Sequence, residues 1–358
     1  MKIAFVCITH KPISLKTTGG IETLTIYLVN ALSLLGHEVT LFAAEETEKS
    51  AFQKISFVPT FSIADLEKQD KENLESKSFT LNYAMFQYAG ATKAMLQSEK
   101  FDIIHYSSAQ WYAPFLINSN QKIPIVTTIH VNNLRQRAIE YILSQFPAVH
   151  IANISNTSAK PFLKYSKRKT VYNGINIDKF PYIAKPENKF AWLGRVAPVK
   201  GLKQALKAAK LADVSMVASG PIDFPEYFEH EVKPLLDEKR TFIPILSTQQ
   251  KKAEFLGKAK AVLMPVQWEE PFGLVAIEAM STGTPVIGFN RGGLKETIIN
   301  GKTGFLVNTV EEMAKKIKQV GEIDRSTCRA HAITNFSASA MAERYIKYYQ
   351  SIIAKNIK

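Results

Sequence analysis

Glu270 and Glu278 bracket the run EPFGLVAIE, two carboxylates with seven residues between them, and no other stretch of the chain carries as much chemistry. Pro271 suits the first position of a helix, where its missing N–H would have had no partner, so the sequence predicts a helix starting there. The first amides of that helix, on Phe272, Gly273 and Leu274, then point outward with the positive end of the helix dipole behind them, and Gly273 admits a ligand close to the backbone. Such a turn receives an anion or hydroxyl oxygens. Counted from Phe272, Glu278 lies roughly 9 Å further along the axis at ~1.5 Å per residue, so the two carboxylates could grip opposite ends of one ligand. An ionised carboxylate only accepts hydrogen bonds, and its natural small-molecule partner is a donor pair such as a sugar cis-diol. The competing explanation is two solvated glutamates flanking a helix N-terminus, where acids are favoured generically.

Other residues could serve the same chemistry. In GRVAPVKG, Arg195 and Lys200 could reach one anion from a loop and a helix start; a guanidinium fork plus an ammonium point charge suits a diphosphate, with plain surface charge as the alternative. Gly19 and Gly20 fall between the first strand-like run and the first helical pattern, where bare amides could approach a phosphate or sugar, or simply make a flexible turn. His130 closes the strand-like run IVTTIH, either working in a cleft or satisfied at a strand end. Tyr106, Trp111 and Tyr112 could stack on a sugar or pack beneath their loop. Asn132 and Asn133 follow His130 without a fixed role. There is no Asp-x-Asp pair to hold a divalent ion, and no G-x-G-x-x-G follows either opening strand. Gly301-Lys302-Thr303 is not a P-loop, since Glu296 stands where its first glycine should be.

These residues need a scaffold that brings loops together. Short β-branched runs alternate with helical patterns, the signature of parallel sheets covered by helices. One series has strands at Lys2–Ile8, Val39–Ala43, Ile55–Val58, Asp102–Tyr106, Ile125–Ile129 and His150–Ile154. Its helices are one from about Gly20, with Ile21, Leu24, Leu28, Leu32 and Leu35 on one face and Gly36 closing it, and one near Phe79–Leu96. The stretches 45–54 and 65–77 read as exposed excursions. The second series has strands at Phe190–Leu193, Val214–Ser219, Thr241–Ile245, Ala261–Met264 and Pro285–Phe289, with a helix over Lys200–Leu211. PYIAKPEN, from Pro181, is proline-bearing and aperiodic, so residues 182–188 are expected to link domains 1–181 and 189–336. In 337–358, Met341, Tyr345, Tyr348 and Ile352 recur on one side of a helix expected to cross back onto the first domain. Two such α/β domains facing each other would put strand C-terminal ends around one cleft.

With 358 residues and 46% apolar content the chain can build two cores. Cys7 and Cys328 are the only cysteines, which excludes a disulfide framework and a structural zinc set and fits a reducing cytoplasm. The apolar run Ile3–Ile8 is cut short by His10, Lys11 and Pro12 and reads as a buried strand, not a signal peptide; no apolar stretch is long enough to span a membrane. The net charge of +13 is spread over both halves. Its densest patch, Lys160, Lys164, Lys167, Arg168 and Lys169, is a solvated basic face or a contact for anionic lipid headgroups at the inner membrane face, and it lacks the interleaved aromatics of single-strand nucleic-acid binders.

GRVAPVKG, SGP around Gly220, EPFGLVAIEAMSTGTPVI and GLKETIINGKTGFLV together resemble the donor domain of family 4 glycosyltransferases through almost the whole second domain. Gly19-Gly20-Ile21-Glu22 and Gly36-His37-Glu38-Val39-Thr40 resemble the same family more loosely in the first. The resemblance implies a GT-B fold, two doubly wound Rossmann-like domains, and retaining transfer of a sugar from a nucleotide diphosphate, with glucose from UDP-glucose the leading hexose donor. By motif, Arg195 and Lys200 would bind the diphosphate, Glu278 the ribose hydroxyls, and Glu270 with the amides of Phe272, Gly273 and Leu274 the donor sugar; Gly19, Gly20 and Gly220 would approach the donor. His130 matches a histidine that contacts the sugar near the reacting carbon. Fixed cations would stabilise the leaving diphosphate, so neither cofactor nor metal is expected. The acceptor would be a hydroxyl on a small molecule, glycan or glycolipid. A GT-B epimerase or phosphorylase, or a non-catalytic nucleotide-sugar-binding subunit, keeps the fold and changes the reaction.

Overall fold

Runs such as IVTTI and FAWL consist of apolar residues and β-branched threonines because each becomes a strand of an all-parallel sheet buried on both faces. The computed structural model describes residues 1–9, 12–17, 19–64, 89–90, 92–94, 96–108, 110–117, 123–131, 134–145 and 149–356. The excursion expected at 65–77, most of the helix expected near Phe79–Leu96, and His10, Lys11, Asn132 and Asn133 lie outside the described residues. The chain divides into two compact units, Met1–Gly174 with Ala338–Lys358, and Ile175–Ser337.

The first unit holds seven parallel strands: Lys2–Val6 (β1), Glu38–Ala43 (β2), Ser56–Pro59 (β3), Ile103–Tyr106 (β4), Ile125–Ile129 (β5), His150–Asn153 (β6) and Arg168–Thr170 (β7). Their order is β3-β2-β1-β4-β5-β6-β7, so the winding reverses between β1 and β4. Helix Gly20–Leu34 buries Leu24, Leu28 and Leu32, and Gly36 ends it in a left-handed conformation at φ 86°. Leu35, expected on the same face, lies past the last helical residue and is exposed. Helix Ala338–Asn356 belongs to this unit, packs against Gly20–Leu34, and buries Met341, Tyr345, Tyr348 and Ile352.

The second unit holds six parallel strands: Phe190–Leu193 (β8), Met216–Ser219 (β9), Arg240–Ile243 (β10), Val262–Met264 (β11), Val286–Phe289 (β12) and Gly304–Val307 (β13). The order β10-β9-β8-β11-β12-β13 reverses between β8 and β11. Cys7 and Cys328 are buried free thiols, one in each unit. Among the described residues no helix is long and apolar enough to cross a membrane.

The boundary falls at Gly174/Ile175, ahead of the expected linker, and residues 182–188 are bound into the second unit. The Ile183 N–H donates to the Thr282 carbonyl at 3.0 Å and the Glu187 N–H to that of Lys258 at 2.8 Å. Arg325, on helix Arg325–Phe336, donates to the carbonyls of Ile183, Ala259 and Gly257 at 2.8, 3.1 and 2.7 Å and to Thr284 Oγ1 at 2.9 Å. Arg329 donates to the carbonyls of Phe180 and Ser281. Proline supplies no N–H, but the carbonyls of this stretch remain acceptors, and two guanidinium groups make it a strap. Arg325→Ala leaves three half-buried carbonyls without their donor and should cost about 2–4 kcal/mol in urea unfolding. A loss under ~0.5 kcal/mol would show that water replaces the guanidinium.

Candidate active site

Open parallel sheets take ligands beyond the C-terminal ends of their strands where the order reverses, which in the second unit means the loops after β8 and β11. The loop after β8 runs beside the loop after β9: the Gly194 N–H donates to the Ser219 carbonyl at 3.1 Å and the Val196 N–H to that of Pro221 at 2.7 Å. Gly220 has φ 153°, and a Cβ there would collide with the Gly194 carbonyl, so the loops meet this closely only with glycine at that position. Arg195 emerges at the meeting point, exposed, and pairs with Asp223.

The turn Pro198–Lys200 then presents Lys200, whose Nζ donates to Glu270 Oε2 at 2.7 Å. Trp268 Nε1 donates to the same oxygen at 2.8 Å, and the Lys200 ammonium lies 4.9 Å from the centroid of the Trp268 ring. Glu270 is only 8% exposed, so an ammonium and an indole N–H compensate a nearly buried carboxylate. No hydrogen bond from the described residues reaches its Oε1, which leaves that oxygen for a ligand. The loop after β12 clasps the same segment: the Gly293 N–H donates to the Glu270 carbonyl at 2.6 Å and the Gly292 N–H to Glu269 Oε2 at 3.2 Å.

The helix after Glu270 begins at Leu274, not at Pro271. Gly273, at φ 91°, is left-handed and breaks the helical path between them. The Ala276 N–H already bonds to the Gly273 carbonyl at 2.9 Å, so the amides ahead of the intrahelical ladder are those of Leu274 and Val275. Phe272 packs its ring against Phe336, 5.8 Å between centroids, as core. Glu278 therefore stands about 6 Å along the axis from the first helical residue, less than expected. It is buried, and its Oε1 accepts from Lys252 Nζ at 2.5 Å. Lys252 comes from helix Gln249–Lys258, capped by Thr248, and lies 5.5 Å from the centroid of the Phe180 ring. Each carboxylate thus already holds its own lysine. Sequence reading missed Lys252, Trp268, Asp223 and the Gly292-Gly293 loop. Trp268 carried a signal, being two residues ahead of a carboxylate that needs a donor once buried; Lys252 carried none, since its partner is on another helix.

In the first unit, Gly19 caps helix Gly20–Leu34 and the Glu22 side chain lies against it, so a Cβ on Gly19 would collide with the carboxylate. The helix start expected to be bare therefore has an acid beside it. His130 follows β5 and Ser107 follows β4, and His130 Nε2 is 2.9 Å from Ser107 Oγ. Its Nδ1 is buried with no hydrogen-bond partner among the described residues. Burial pushes the His130 imidazole down to about 4, which keeps it neutral at pH 7. Tyr106 and Trp111, expected as stacking candidates, are core side chains; Trp111 meets Tyr112, Phe115 and Phe162 edge-on at centroid separations of 5.9, 5.8 and 5.2 Å. Tyr112 is partly buried against that cluster.

Comparison with known proteins assigns both units. The family described as Glycosyltransferase Family 4 matches residues 18–179, and Glycosyl transferases group 1 matches residues 175–335. The chain is 24% identical to spore coat protein SA of Bacillus subtilis (strain 168), covering 98% of this chain and 99% of that protein. It is 26% identical to the N-acetyl-alpha-D-glucosaminyl L-malate synthase of Bacillus anthracis, over 78% of this chain and 85% of that one. Anabaena HepE, crystallised in complex with UDP, has the same fold with a TM-score of 0.72 at 18% identity, covering 98% of this chain and 100% of that one. Two parallel Rossmann-like sheets, each matched by its own glycosyltransferase family, place the chain among the family 4 glycosyltransferases of GT-B fold.

Proposed function

We propose that this glycosyltransferase transfers a hexose with retention of configuration, using glucose from UDP-glucose and no metal ion. The observation that carries the reading is the Lys200–Glu270–Trp268 cluster at the edge of β8 and β11, with Arg195 emerging from the same loop as Lys200. Transfer breaks the bond between the anomeric carbon and the diphosphate oxygen, and the electron pair leaves with the diphosphate. The acceptor oxygen bonds to that carbon, and its proton passes to the departing phosphate. Arg195 and Lys200 are the fixed cations that meet the developing charge. Glu270 Oε1 accepts from hydroxyls of the sugar and Glu278 from those of the ribose. His130, neutral and with Nδ1 unpartnered, contacts the sugar near the reacting carbon. UDP-glucose is favoured as donor because Anabaena HepE has been crystallised with UDP, with UDP and glucose, and with UDP-glucose.

Calorimetric titration with UDP, GDP, ADP and dTDP without metal tests the reading, followed by product analysis with UDP-glucose. Selective UDP binding and a transferred glucosyl group are expected; absence of nucleotide binding would overturn the donor site, and an epimerised or phosphorolysed product would reassign the reaction. Turnover should persist in excess EDTA, and a loss restored by Mg²⁺ would refute the metal-free mechanism. Glu278→Ala should weaken UDP binding about tenfold, the loss of one charged hydrogen-bonding pair, and unchanged affinity would remove Glu278 from the ribose site.

The reading places the enzyme in the cytoplasm, in peripheral contact with an anionic membrane surface. Gln136, on helix Gln136–Gln145, donates to the Pro161 carbonyl at 3.2 Å, which joins that helix to the basic segment 160–169. Arg135, Arg137 and Lys164 are exposed there beside Tyr141 and Leu163, which are 66% and 59% exposed. Cations around exposed apolar side chains fit a surface of anionic headgroups over acyl chains. Sedimentation with phosphatidylglycerol vesicles and not with phosphatidylcholine vesicles is expected at low salt; equal recovery with both would leave the patch as a solvated face.

A further inference from the structure

The surroundings of Glu278 come from separate segments of the second unit. Its Oε1 accepts from Lys252 Nζ at 2.5 Å, and no hydrogen bond from the described residues reaches its Oε2. Lys252 stands in the first turn of helix Gln249–Lys258, where its N–H donates to the Thr248 carbonyl at 3.0 Å. A cation there opposes the positive end of the helix dipole, so helix stability does not account for it. The ammonium lies 5.5 Å from the centroid of the Phe180 ring, which is completely buried. Arg329 donates to the carbonyls of Phe180 and of Ser281, the latter three residues beyond Glu278 on the same helix. One guanidinium group therefore ties the ring beside the ammonium to the helix that carries the acid. The Lys252 side chain is 24% exposed and that of Glu278 7%, so the pair keeps an opening to solvent.

We infer that Lys252 is a second ribose-binding residue of the donor site, donating to the oxygen of the hydroxyl whose proton Glu278 accepts. This role rests on the ribose contact of Glu278 proposed above and supplies the group that completes it. A hydroxyl has one proton to give and lone pairs to satisfy, and an ionised carboxylate answers only the proton. In a nearly buried site, lone pairs left bare would offset part of what the carboxylate contributes. The ammonium has three N–H donors, and its one hydrogen bond to the described residues goes to Glu278 Oε1. A donor is thus left beside the open Oε2. A hydroxyl that gives to Oε2 and receives from Nζ strengthens both bonds. The pair therefore selects a ribose over a sugar that lacks the hydroxyls, and Lys252 acts on the ligand as well as on the charge of Glu278.

Calorimetric titration of the full chain with UDP and with 2′,3′-dideoxy-UDP separates this role from simple charge compensation. The second probe keeps the base and the diphosphate and lacks both ribose hydroxyls. In a Glu278→Gln background no carboxylate remains for Lys252 to compensate. Adding Lys252→Met there is expected to weaken UDP about fivefold further, while the affinity for dideoxy-UDP stays within about twofold. No further loss for UDP would overturn the inference, since Lys252 would then act only as the counter-ion of Glu278. An equal loss for both probes would overturn it too, by placing the ammonium on the diphosphate. Equal affinity of the wild type for the two probes would remove the ribose site of Glu278 itself, a failure of the underlying reading that is seen before any substitution. Lys252→Ala gives the same readout should the methionine variant fail to fold.

Discussion

Lys200→Ala is expected to lower kcat by about two to three orders of magnitude, the scale on which one preorganised charge at a developing anion is felt. Lys200 has two tasks in the structure. Its ammonium compensates the nearly buried Glu270 carboxylate, and in the proposed reaction it joins Arg195, from the same loop, in meeting the departing diphosphate. Removing it leaves Glu270 with the Trp268 N–H alone, so the acid is under-compensated before any substrate arrives. The side chain is 21% exposed, so solvent screens part of that cost, and a stability loss of about 1–2 kcal/mol should accompany the kinetic one. Arg195 is more exposed and retains donors beyond the nitrogen that holds Asp223, so Arg195→Ala alone should cost less and the double variant should remove most of the remaining turnover. Steady-state kinetics at saturating UDP-glucose check this. Turnover of Lys200→Ala within about threefold of wild type would place leaving-group stabilisation elsewhere.

Candidate residues of the second unit could be picked by type because Arg195, Lys200 and Glu270 stand in short loops whose place relative to strands can be read from apolar runs, with Glu278 on the helix that follows. Strands Ile125–Ile129 and Phe190–Leu193 match their expected bounds, since burial on both faces selects apolar and β-branched residues throughout. Arg168–Thr170 escaped notice because it is a sheet edge, where charged side chains are favoured and no apolar pattern is imposed. Gly304–Val307 opens on a glycine that packs against the Val286 carbonyl, a tertiary demand that reads locally as a turn.

Partners were less legible than residues. Pro271 is a good helix start in isolation, but Gly273 takes a left-handed conformation and moves the start to Leu274. Glu270 and Glu278 look like two ends of one clamp, yet Lys200 and Lys252 reach them from elements 70 and 26 residues away. The contact between Tyr349 and His105 spans 244 residues, and the bonds of Arg325 to the 182–188 strap and its neighbours span up to 142. Nothing in local periodicity encodes such contacts. They follow from sheet order, which is fixed only when the whole unit folds.

Three imidazoles of the first unit, His105, His130 and His150, make it acid-sensitive, in a window set by their displaced titrations. Burial pushes His105 down to about 3, with His130 beside it adding to the effect, and burial pushes His130 and His150 to about 4, with Lys167 and Lys355 adding to the effect at His150. All three should titrate near 6.5 when the chain is unfolded. Above 6.5 neither state carries these protons and stability does not depend on them. Between 6.5 and 4 the unfolded chain binds protons that the folded unit refuses, so stability falls as pH falls. Each histidine contributes a slope of up to ~1.4 kcal/mol per pH unit. The groups packed around His105 and His130, Tyr345, Tyr349, Thr128, Ser107 and Phe5, are neutral in this range and offer the proton no carboxylate, and His150 faces the cations Lys167 and Lys355. Melting curves from pH 7.5 to 4.5 should therefore show the first unit's transition dropping steeply while the second unit's moves less. His105→Gln, which cannot take up the proton, should flatten that slope by about a third. A first-unit midpoint that stays constant across the window, or a slope untouched by His105→Gln, would mean that the folded unit opens to hydrate these rings.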